Sequence, residues 1–314
     1  MTEDAVADDL PELPRGIALA WGMAASPQRG PKREMSVERI VEAAVELADR
    51  EGLGAVSMAA VAKALGFTPM SLYRYVTAKD DLLLLMQEEA TGAPPLPEEP
   101  ITSWRTEAER LYRAQLDCYL RHPWLLGIPI HGTPVTPSSA AWMEAYLAAF
   151  DPTPLGQEER MAAMLALMGQ ARWVGAVVAG YAEAARIGGV DLAEIGRREA
   201  ALFSALVDRD AYPHVRAALD AGVLDAEDDS MLFGVARMLE GIGAYIERAG
   251  VPGAAAVEAD ASLAPEDRAV SADKRVRAAE KAVREAEKTL RAARKNERQV
   301  RRDAAERIAR AAAS

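Results

Sequence analysis

The stretch SMAAVAKALGFTPMSLYRYV, from Ser57 to Val76, limits the possible fold more than any other part of the chain. Ser57 is a typical N-cap, and the apolar residues after it recur at helical spacing. Gly66 has no Cβ atom and therefore accepts the positive φ of a tight turn. Pro69 fits the first turn of a second helix, where its missing N–H costs nothing. The stretch predicts two short helices joined by a tight turn.

Helical spacing divides this pair of helices into an inward and an outward side. The side chains expected to face inward are Val61, Ala62, Leu65, Leu72 and Val76, with Tyr75 at the edge. Those expected to face outward on the second helix, after Pro69, are Met70, Ser71, Tyr73 and Arg74. In helix-turn-helix proteins this part of the second helix enters the DNA major groove. The pattern therefore predicts sequence-specific binding of double-stranded DNA.

Each outward residue has a chemistry that suits DNA. Arg74 can reach guanine or a phosphate, Ser71 a base edge or a phosphate, and Tyr73 a phosphate through its hydroxyl. Ser57 and Lys79 stand at predicted helix N-termini, where backbone N–H groups favour a phosphate.

Residues 1–35 are predicted to be a flexible arm because they contain several prolines and end in a basic cluster. That cluster consists of Arg29, Lys32 and Arg33. It lies close enough to the first helix to enter an adjacent minor groove. The alternative is an arm that is disordered and only improves solubility.

The helix-turn-helix belongs to a larger predicted domain over residues 36–92. Ser36 is a suitable N-cap for an amphipathic helix that runs to about Glu51. A further helix is expected from about Lys79 to Thr91, and the proline-rich linker APPLPEEP follows it.

Residues 101–250 are predicted to form a second, helical domain for ligand binding and dimerisation. Apolar residues spaced by three and four indicate helices near 102–121, 137–149, 157–187, 191–208 and 230–249. The 157–187 and 230–249 helices are rich in Gly and Ala, which permits close approach in a dimer interface.

Aromatic, methionine and polar residues of this domain are candidates for a pocket that takes a small hydrophobic molecule. They are Trp104, Trp124, Trp142, Met143, Met164, Met168, Arg172, Trp173 and Tyr245. Apolar residues at helical spacing are also what a plain core requires. Arg172 would be either a ligand contact or half of a buried or interfacial ion pair.

After a predicted linker over 251–265, residues 266–314 carry a heptad pattern with a basic balance. The core positions include Val276, Val283 and Leu290, with alanines between them. Three interpretations remain open: a coiled coil with a second copy, packing against the helical domain, or an additional helix that binds nucleic acid or another partner. The predicted fold class is therefore all-α, with an N-terminal three-helix helix-turn-helix domain, a helical domain and an extra long C-terminal helix.

Composition argues against several other classes of protein. The chain is 50% hydrophobic and 27% charged, which favours a folded protein. The acidic start does not resemble a secretory signal, and the longest apolar stretch contains Gln170 and Arg172. We therefore expect a cytoplasmic protein without a membrane partner. The histidines lack metal-ligand spacing and Cys118 has no evident helper, so no enzyme activity, metal or cofactor is expected.

The net charge of −11, taken as a total, opposes DNA binding, but it is unevenly distributed. Residues 1–100 carry −8, residues 101–262 carry −9 and residues 263–314 carry +6. Local charge therefore decides more than the total.

The residues just described resemble the tetracycline-repressor (TetR) family of bacterial regulators. The match covers about residues 36–85, including SMAAVAKALG and MSLYRYVTAKDDLL, and MLFGVARMLEGIGAYI resembles the last helix of the family's ligand-binding domain. The resemblance implies a homodimer that binds a palindromic operator and releases it when a small molecule enters the helical domain. It also places Met70, Ser71, Tyr73, Arg74 and Lys79 at DNA-contact positions.

One departure from the family pattern concerns the helix after Ser57. Ala59 and Ala60 stand where related proteins often carry a basic residue that reaches DNA. The basic cluster of the arm offers a replacement for that contact. The competing function is a coiled-coil nucleoid-associated or scaffold protein, which the C-terminal heptads alone suggest.

Overall fold

The computed structural model describes residues 13–23, 35–97, 103–130, 135–223, 230–249 and 273–312. Within these ranges the regular structure is helical and contains no β-strand, which confirms the predicted all-α fold. The helices in chain order are α1 (Arg15–Ala20), α2 (Val37–Glu51), α3 (Met58–Leu65), α4 (Pro69–Leu72), α5 (Lys79–Thr91), α6 (Trp104–Arg121), α7 (Pro137–Ala149), α8 (Gln157–Gly188), α9 (Leu192–Leu206), α10 (Pro213–Asp220), α11 (Ser230–Ala249) and α12 (Lys274–Ala312). Two 3-10 helices cover Leu53–Ala55 and Pro123–Gly127.

Most helices begin where the sequence supplies an N-cap. The Ser36 hydroxyl accepts the N–H of Arg39, and the Ser103 hydroxyl accepts that of Thr106. The helices predicted from Ser36 and from Lys79 are confirmed, as are the five predicted between residues 102 and 249, to within a few residues. The short helices α1 and α10 and the 3-10 helix at Pro123–Gly127 were not predicted.

The first hydrophobic core lies in the helix-turn-helix domain. It contains Ile40 and Ala44 of α2, Val61 of α3, and Leu82 and Met86 of α5, all of which are completely buried. Cys118, Trp124 and Leu125 belong to this core as well, although they come from the end of α6 and the 3-10 helix that follows it. The helix-turn-helix domain is therefore closed by residues from the helical domain.

The second core packs α6, α7, α8 and α11 together. Its largest completely buried side chains include Tyr112, Tyr146 and Phe150. Because α6 contributes to both cores, the two domains form one compact unit, which extends over residues 1–254. The boundary expected near residue 100 therefore separates two hydrophobic cores within one compact unit, not two independent units.

The predicted flexible arm over residues 1–35 is wrong for part of its length. Residues Arg15–Ala20 form α1, which packs on α5, and the Gly16 N–H donates to Asp81 Oδ1 at 2.9 Å. A Cβ atom on Gly16 would lie only 2.8 Å from the same oxygen, so glycine is required for this approach. Trp21 Nε1 donates to the carbonyl of Val135, ahead of α7. The segment thus connects α5 to the helical domain.

Helix α8 is long and apolar enough to span a membrane by length and composition. Met164, Leu167 and Ala171 are nevertheless buried in the second core, as expected of a core helix.

Residues 255–314 form a second compact unit, of which α12 is the described part. This single helix begins after Asp273, whose carboxylate accepts the N–H groups of Arg275 and Val276. At 1.5 Å per residue its 39 residues extend about 58 Å. The predicted linker over 251–265 lies outside the described residues, as do the first residues of the predicted 266–314 helix.

Candidate nucleic-acid interface

The turn between α3 and α4 has the geometry that the sequence predicted. Gly66 adopts φ 76° and ψ 26°, a left-handed conformation that favours glycine. The Ser57 hydroxyl accepts the Ala60 N–H at 3.1 Å, and Pro69 occupies the first turn of α4. These features fix the angle at which α4 leaves α3.

The predicted inward side of α3 and α4 is confirmed. Val61, Ala62, Leu72 and Val76 are completely buried. Leu65 and Tyr75 are half-buried and pack against the same core. The position of α4 is therefore set by the burial of Leu72, its last residue, and of Val76 just beyond it.

The outward side of α4 and of the turn after it forms a small exposed surface, which we call the reading surface: Met70, Ser71, Tyr73 and Arg74. Met70 is 73% exposed and Tyr73 is 45% exposed. Arg74 is exposed, whereas Ser71 is half-buried and its hydroxyl lies 2.9 Å from that of Thr68. The regular helix ends at Leu72, and the Val76 N–H still bonds to the Leu72 carbonyl.

Two further predicted contacts flank the reading surface. Lys79 is exposed at the first position of α5. Ser57 is exposed too; its hydroxyl oxygen accepts a hydrogen bond as the N-cap of α3, and its O–H can still donate to a phosphate. Ala59, exposed on α3, offers no polar group. Arg29, Lys32 and Arg33 lie outside the described residues.

The helix-turn-helix domain has little positive charge of its own. Residues 35–92 contain five basic and nine acidic side chains. Asp81 accepts hydrogen bonds from Thr77 and from α1. Electrostatic attraction to DNA is therefore weak in this domain, apart from Arg74 and Lys79.

Several hydrogen-bonded contacts join the helix-turn-helix domain to the helical domain, and sequence reasoning missed the three described next. Asp49 of α2 accepts the Trp124 indole N–H at 2.6 Å and lies 2.8 Å from His122 Nδ1. Glu88 of α5 accepts both the N–H and the hydroxyl of Ser138 at the start of α7. The Trp142 indole N–H donates to the carbonyl of Gly92, directly after α5. Nothing in the local sequence distinguishes Asp49 or Glu88 from an ordinary exposed carboxylate.

The residues predicted to bind a ligand are not gathered around one cavity. Trp124 belongs to the first core, Trp142 and Met164 are buried in the second, and Trp173 is 58% exposed. The half-buried members at the edge of the second core are Trp104, Met143, Met168 and Tyr245. Trp104 stacks on Phe150, and the Tyr245 hydroxyl donates to Glu159.

Arg172, predicted as a ligand contact or as half of an ion pair, bonds to main-chain carbonyls in the described part of the chain. Its guanidinium donates to the carbonyls of Leu126 and Ile128 at 3.0 and 2.9 Å. It therefore fastens α8 to the segment that follows Trp124.

Two open clefts in the described residues have volumes of about 130 and 280 Å³. Trp142 borders the larger one, and the other predicted ligand residues border neither. Both are smaller than the roughly 300–1,000 Å³ of most small-molecule sites.

Cys118 is a buried side chain of the first core. Burial raises the pKa of the Cys118 thiol, and its Sγ lies 3.4 Å from the Ala90 carbonyl oxygen. A neutral, buried thiol is a poor nucleophile.

A stripe of small and apolar residues runs along the outer side of α8. Its exposed members are Ala162, Leu165, Gly169, Trp173, Ala176 and Gly180. Their spacing of three or four residues keeps them on one face of the helix.

Two family models match the chain. The tetR family model of bacterial regulatory proteins matches residues 40–86, and the tetracyclin repressor-like C-terminal domain matches residues 96–246. Neither range includes α1 or α12.

Named relatives agree with these models. The HTH-type transcriptional repressor DrrR1 of Streptomyces coeruleorubidus is 34% identical over 232 residues, which are 74% of this chain and 86% of the relative. An HTH-type transcriptional regulator of Saccharopolyspora erythraea is 31% identical over 185 residues, 58% of this chain and 70% of its own.

Solved structures share the fold. The TetR regulator SCO7222 of Streptomyces coelicolor has a TM-score of 0.54 and 26% identity, over 67% of this chain and 98% of its own. ActR of the same organism, solved in complex with actinorhodin, has a TM-score of 0.56 and 23% identity, over 72% of this chain and 100% of its own. The chain belongs to the TetR family of bacterial DNA-binding transcriptional regulators.

Proposed function

We propose that this protein is a homodimeric repressor that binds a palindromic operator through its reading surface and releases it when a small hydrophobic molecule binds the helical domain. The observation that carries the proposal is the contrast between neighbouring residues of α4 and of the turn that follows it. Leu72 and Val76 are completely buried, while Met70, Tyr73 and Arg74 are exposed beside them. Burial holds the backbone of α4 rigidly, so the exposed side chains are presented in a fixed arrangement.

Each side chain of the reading surface has a proposed role. Arg74 donates to guanine or to a phosphate, and Met70 makes apolar contacts with base edges. Tyr73 and Ser71 donate hydrogen bonds from their hydroxyl groups to phosphate oxygens. Lys79 and Ser57 bind phosphates on either side and set the register of the helix on the duplex.

The α8 stripe supports the homodimer. An exposed apolar stripe along a 32-residue helix is a surface that a soluble monomer rarely leaves uncovered. Its small residues allow a second helix to approach closely, and Gly241 and Ala244 of the neighbouring α11 are exposed as well. A two-fold axis between such faces would place two reading surfaces on the half-sites of a palindrome.

The contacts of α5 offer a route from effector to DNA. Glu88 and the carbonyl of Gly92 are both held by α7, so a molecule that moves α7 also moves the end of α5. The reading surface lies just before α5, so a movement of α5 also moves the reading surface. The distance between the two reading surfaces of the dimer then changes, and with it their fit to the operator. The effector acts only through its differential affinity for the two arrangements. ActR, solved with actinorhodin, makes flat aromatic compounds the first class to test.

The first prediction concerns Arg74. Replacing it with alanine is expected to lower operator affinity about tenfold or more, since one good base contact contributes about 1–3 kcal/mol. Anisotropy titrations with a DNA fragment protected by the wild-type protein measure the change. Arg113→Ala, on α6, makes the same charge change outside the helix-turn-helix domain and should bind normally. Equal affinity of the Arg74 variant and the wild type would exclude the reading surface as proposed.

The second prediction concerns Arg29, Lys32 and Arg33, which we propose to contact DNA beside the reading surface. Deleting the whole arm would also remove α1, so the better variant changes these three residues to glutamine. We expect the slope of log affinity against log salt to become shallower by about 0.9 for each phosphate that these side chains neutralise in the wild type. An unchanged slope and affinity would show that the segment does not contact DNA.

The third prediction concerns Trp173 in the α8 stripe. Trp173→Glu places two like charges in the dimer interface, and light scattering is expected to report the 33.7 kDa monomer. Leu206→Glu, on α9, is the control because Leu206 is also exposed. A dimer that persists in the Trp173 variant would contradict the proposed interface.

The fourth prediction concerns Glu88. A panel of flat aromatic compounds, beginning with actinorhodin, is tested for release of the operator fragment. In Glu88→Ala, the ratio of operator affinities without and with the active compound is expected to fall several-fold, because coupling between sites is typically 5–150-fold in total. Glu89→Ala, at the adjacent exposed position, should retain the wild-type ratio. Failure of every compound would refute release by this class, and an unchanged ratio in Glu88→Ala would refute the route through α7.

A further inference from the structure

The second unit carries a regular pattern of basic residues that the helix-turn-helix function does not use. Between residues 277 and 302, a basic residue recurs at alternating intervals of four and three. We call this set the basic stripe: Arg277, Lys281, Arg284, Lys288, Arg291, Lys295, Arg298 and Arg302. Every position in this series is occupied by Arg or Lys.

Because residues 274–312 form one continuous helix, this spacing places the whole stripe on one face. At 100° per residue, the eight positions fall within a sector of about 100°. From the first to the last the rise is about 38 Å. The heptad positions Val276, Val283 and Leu290 lie on a different side of the helix.

The described side chains at the start of the stripe reach solvent. Arg277, Lys281, Arg284 and Lys288 are exposed. Arg284 has a carboxylate oxygen of Glu280 at 3.9 Å, a loose ion pair. Arg301, off the stripe, has Glu297 at 2.9 Å. The balance of α12, with fourteen basic and six acidic residues, leaves this face strongly positive.

We propose that α12 binds the sugar-phosphate backbone of duplex DNA through the basic stripe and adds sequence-independent affinity to the specific contacts of the reading surface. The inference rests on the proposed function in taking duplex DNA as the partner. Charge complementarity favours that partner, since B-DNA carries one negative charge per about 1.7 Å of its axis. The stripe is about as long as one helical turn of DNA, about 34–36 Å.

The composition of the helix-turn-helix domain supplies a reason for such a contact. Its five basic and nine acidic residues give little of the electrostatic attraction that dominates non-specific DNA binding. An acidic protein surface or an anionic membrane would also attract a basic helix. The test below separates the membrane from DNA, and unchanged DNA binding in the stripe variant would exclude DNA as the partner of the stripe.

The test uses the full-length protein and a random-sequence duplex of about 40 base pairs, longer than one helical turn. The stripe variant carries Arg277→Gln, Lys281→Gln, Arg284→Gln and Lys288→Gln. The control variant loses four charges from the same helix off the stripe, through Lys274→Gln, Arg275→Gln, Arg301→Gln and Arg307→Gln. Circular dichroism and light scattering confirm that helix content and oligomeric state are unchanged in both.

For the stripe variant, we expect random-sequence affinity to fall about tenfold or more and the salt slope to become shallower by about two to four. The control variant should change much less. An equal loss in both variants, or no loss in either, would overturn the proposal. Loss of binding to phosphatidylglycerol vesicles with DNA binding intact would overturn it in favour of a membrane surface.

The random-sequence duplex separates this proposal from the operator-binding function. If Arg74→Ala leaves operator affinity unchanged while the stripe variant still loses random-sequence binding, the reading surface fails and the stripe stands. If Arg74→Ala lowers operator affinity while the stripe variant binds random DNA like the wild type, the stripe fails alone.

Discussion

The arrangement of the helix-turn-helix domain depends on carboxylates that accept hydrogen bonds across element boundaries. Asp81 binds the first turn of α1, Asp49 binds the indole of Trp124, and Glu88 binds the first turn of α7. Hydrogen bonds to a charged group contribute about 1.5–3 kcal/mol each, more than neutral ones. These contacts, with α6 shared between both cores, make α2 and α5 part of the same rigid body as the helical domain. A regulator whose DNA affinity responds to an event in another domain requires this kind of mechanical connection.

Local sequence rules predicted the elements and the motif well. N-caps at Ser36 and Ser57, the left-handed Gly66 and the first-turn Pro69 act over a few residues, so their consequences can be derived without knowing the fold. Inward positions such as Leu72 and Val76 follow from helical periodicity in the same way. Of the four residues predicted to face outward, Met70, Tyr73 and Arg74 are exposed. Ser71 is half-buried, and its hydroxyl contacts that of Thr68.

Features that depend on tertiary contacts could not be predicted in this way. Trp124 and Trp142 were predicted to line a pocket because tryptophan is common there. In the structure, the indole N–H of each donates a hydrogen bond that joins the two domains. Arg172 was predicted as a ligand or ion-pair residue because it interrupts an apolar helix, and its bonds to the main-chain carbonyls of Leu126 and Ile128 were not foreseen. Helix α1 was overlooked because six residues between prolines and glycines carry almost no periodic signal, and it is held by Asp81, 65 positions away. In each case the deciding partner is remote in sequence.

The separation of charge along the chain suggests a division of labour in DNA binding. An acidic body with few cations around the reading surface keeps non-specific affinity low, so that discrimination depends on base contacts. A basic helix in a separate compact unit would add affinity for any duplex, independently of its sequence. The ratio of specific to non-specific binding, rather than either affinity alone, determines how a regulator is distributed over a genome. Specificity and affinity can therefore be adjusted in different parts of this chain, because the reading surface belongs to one compact unit and the basic stripe to the other.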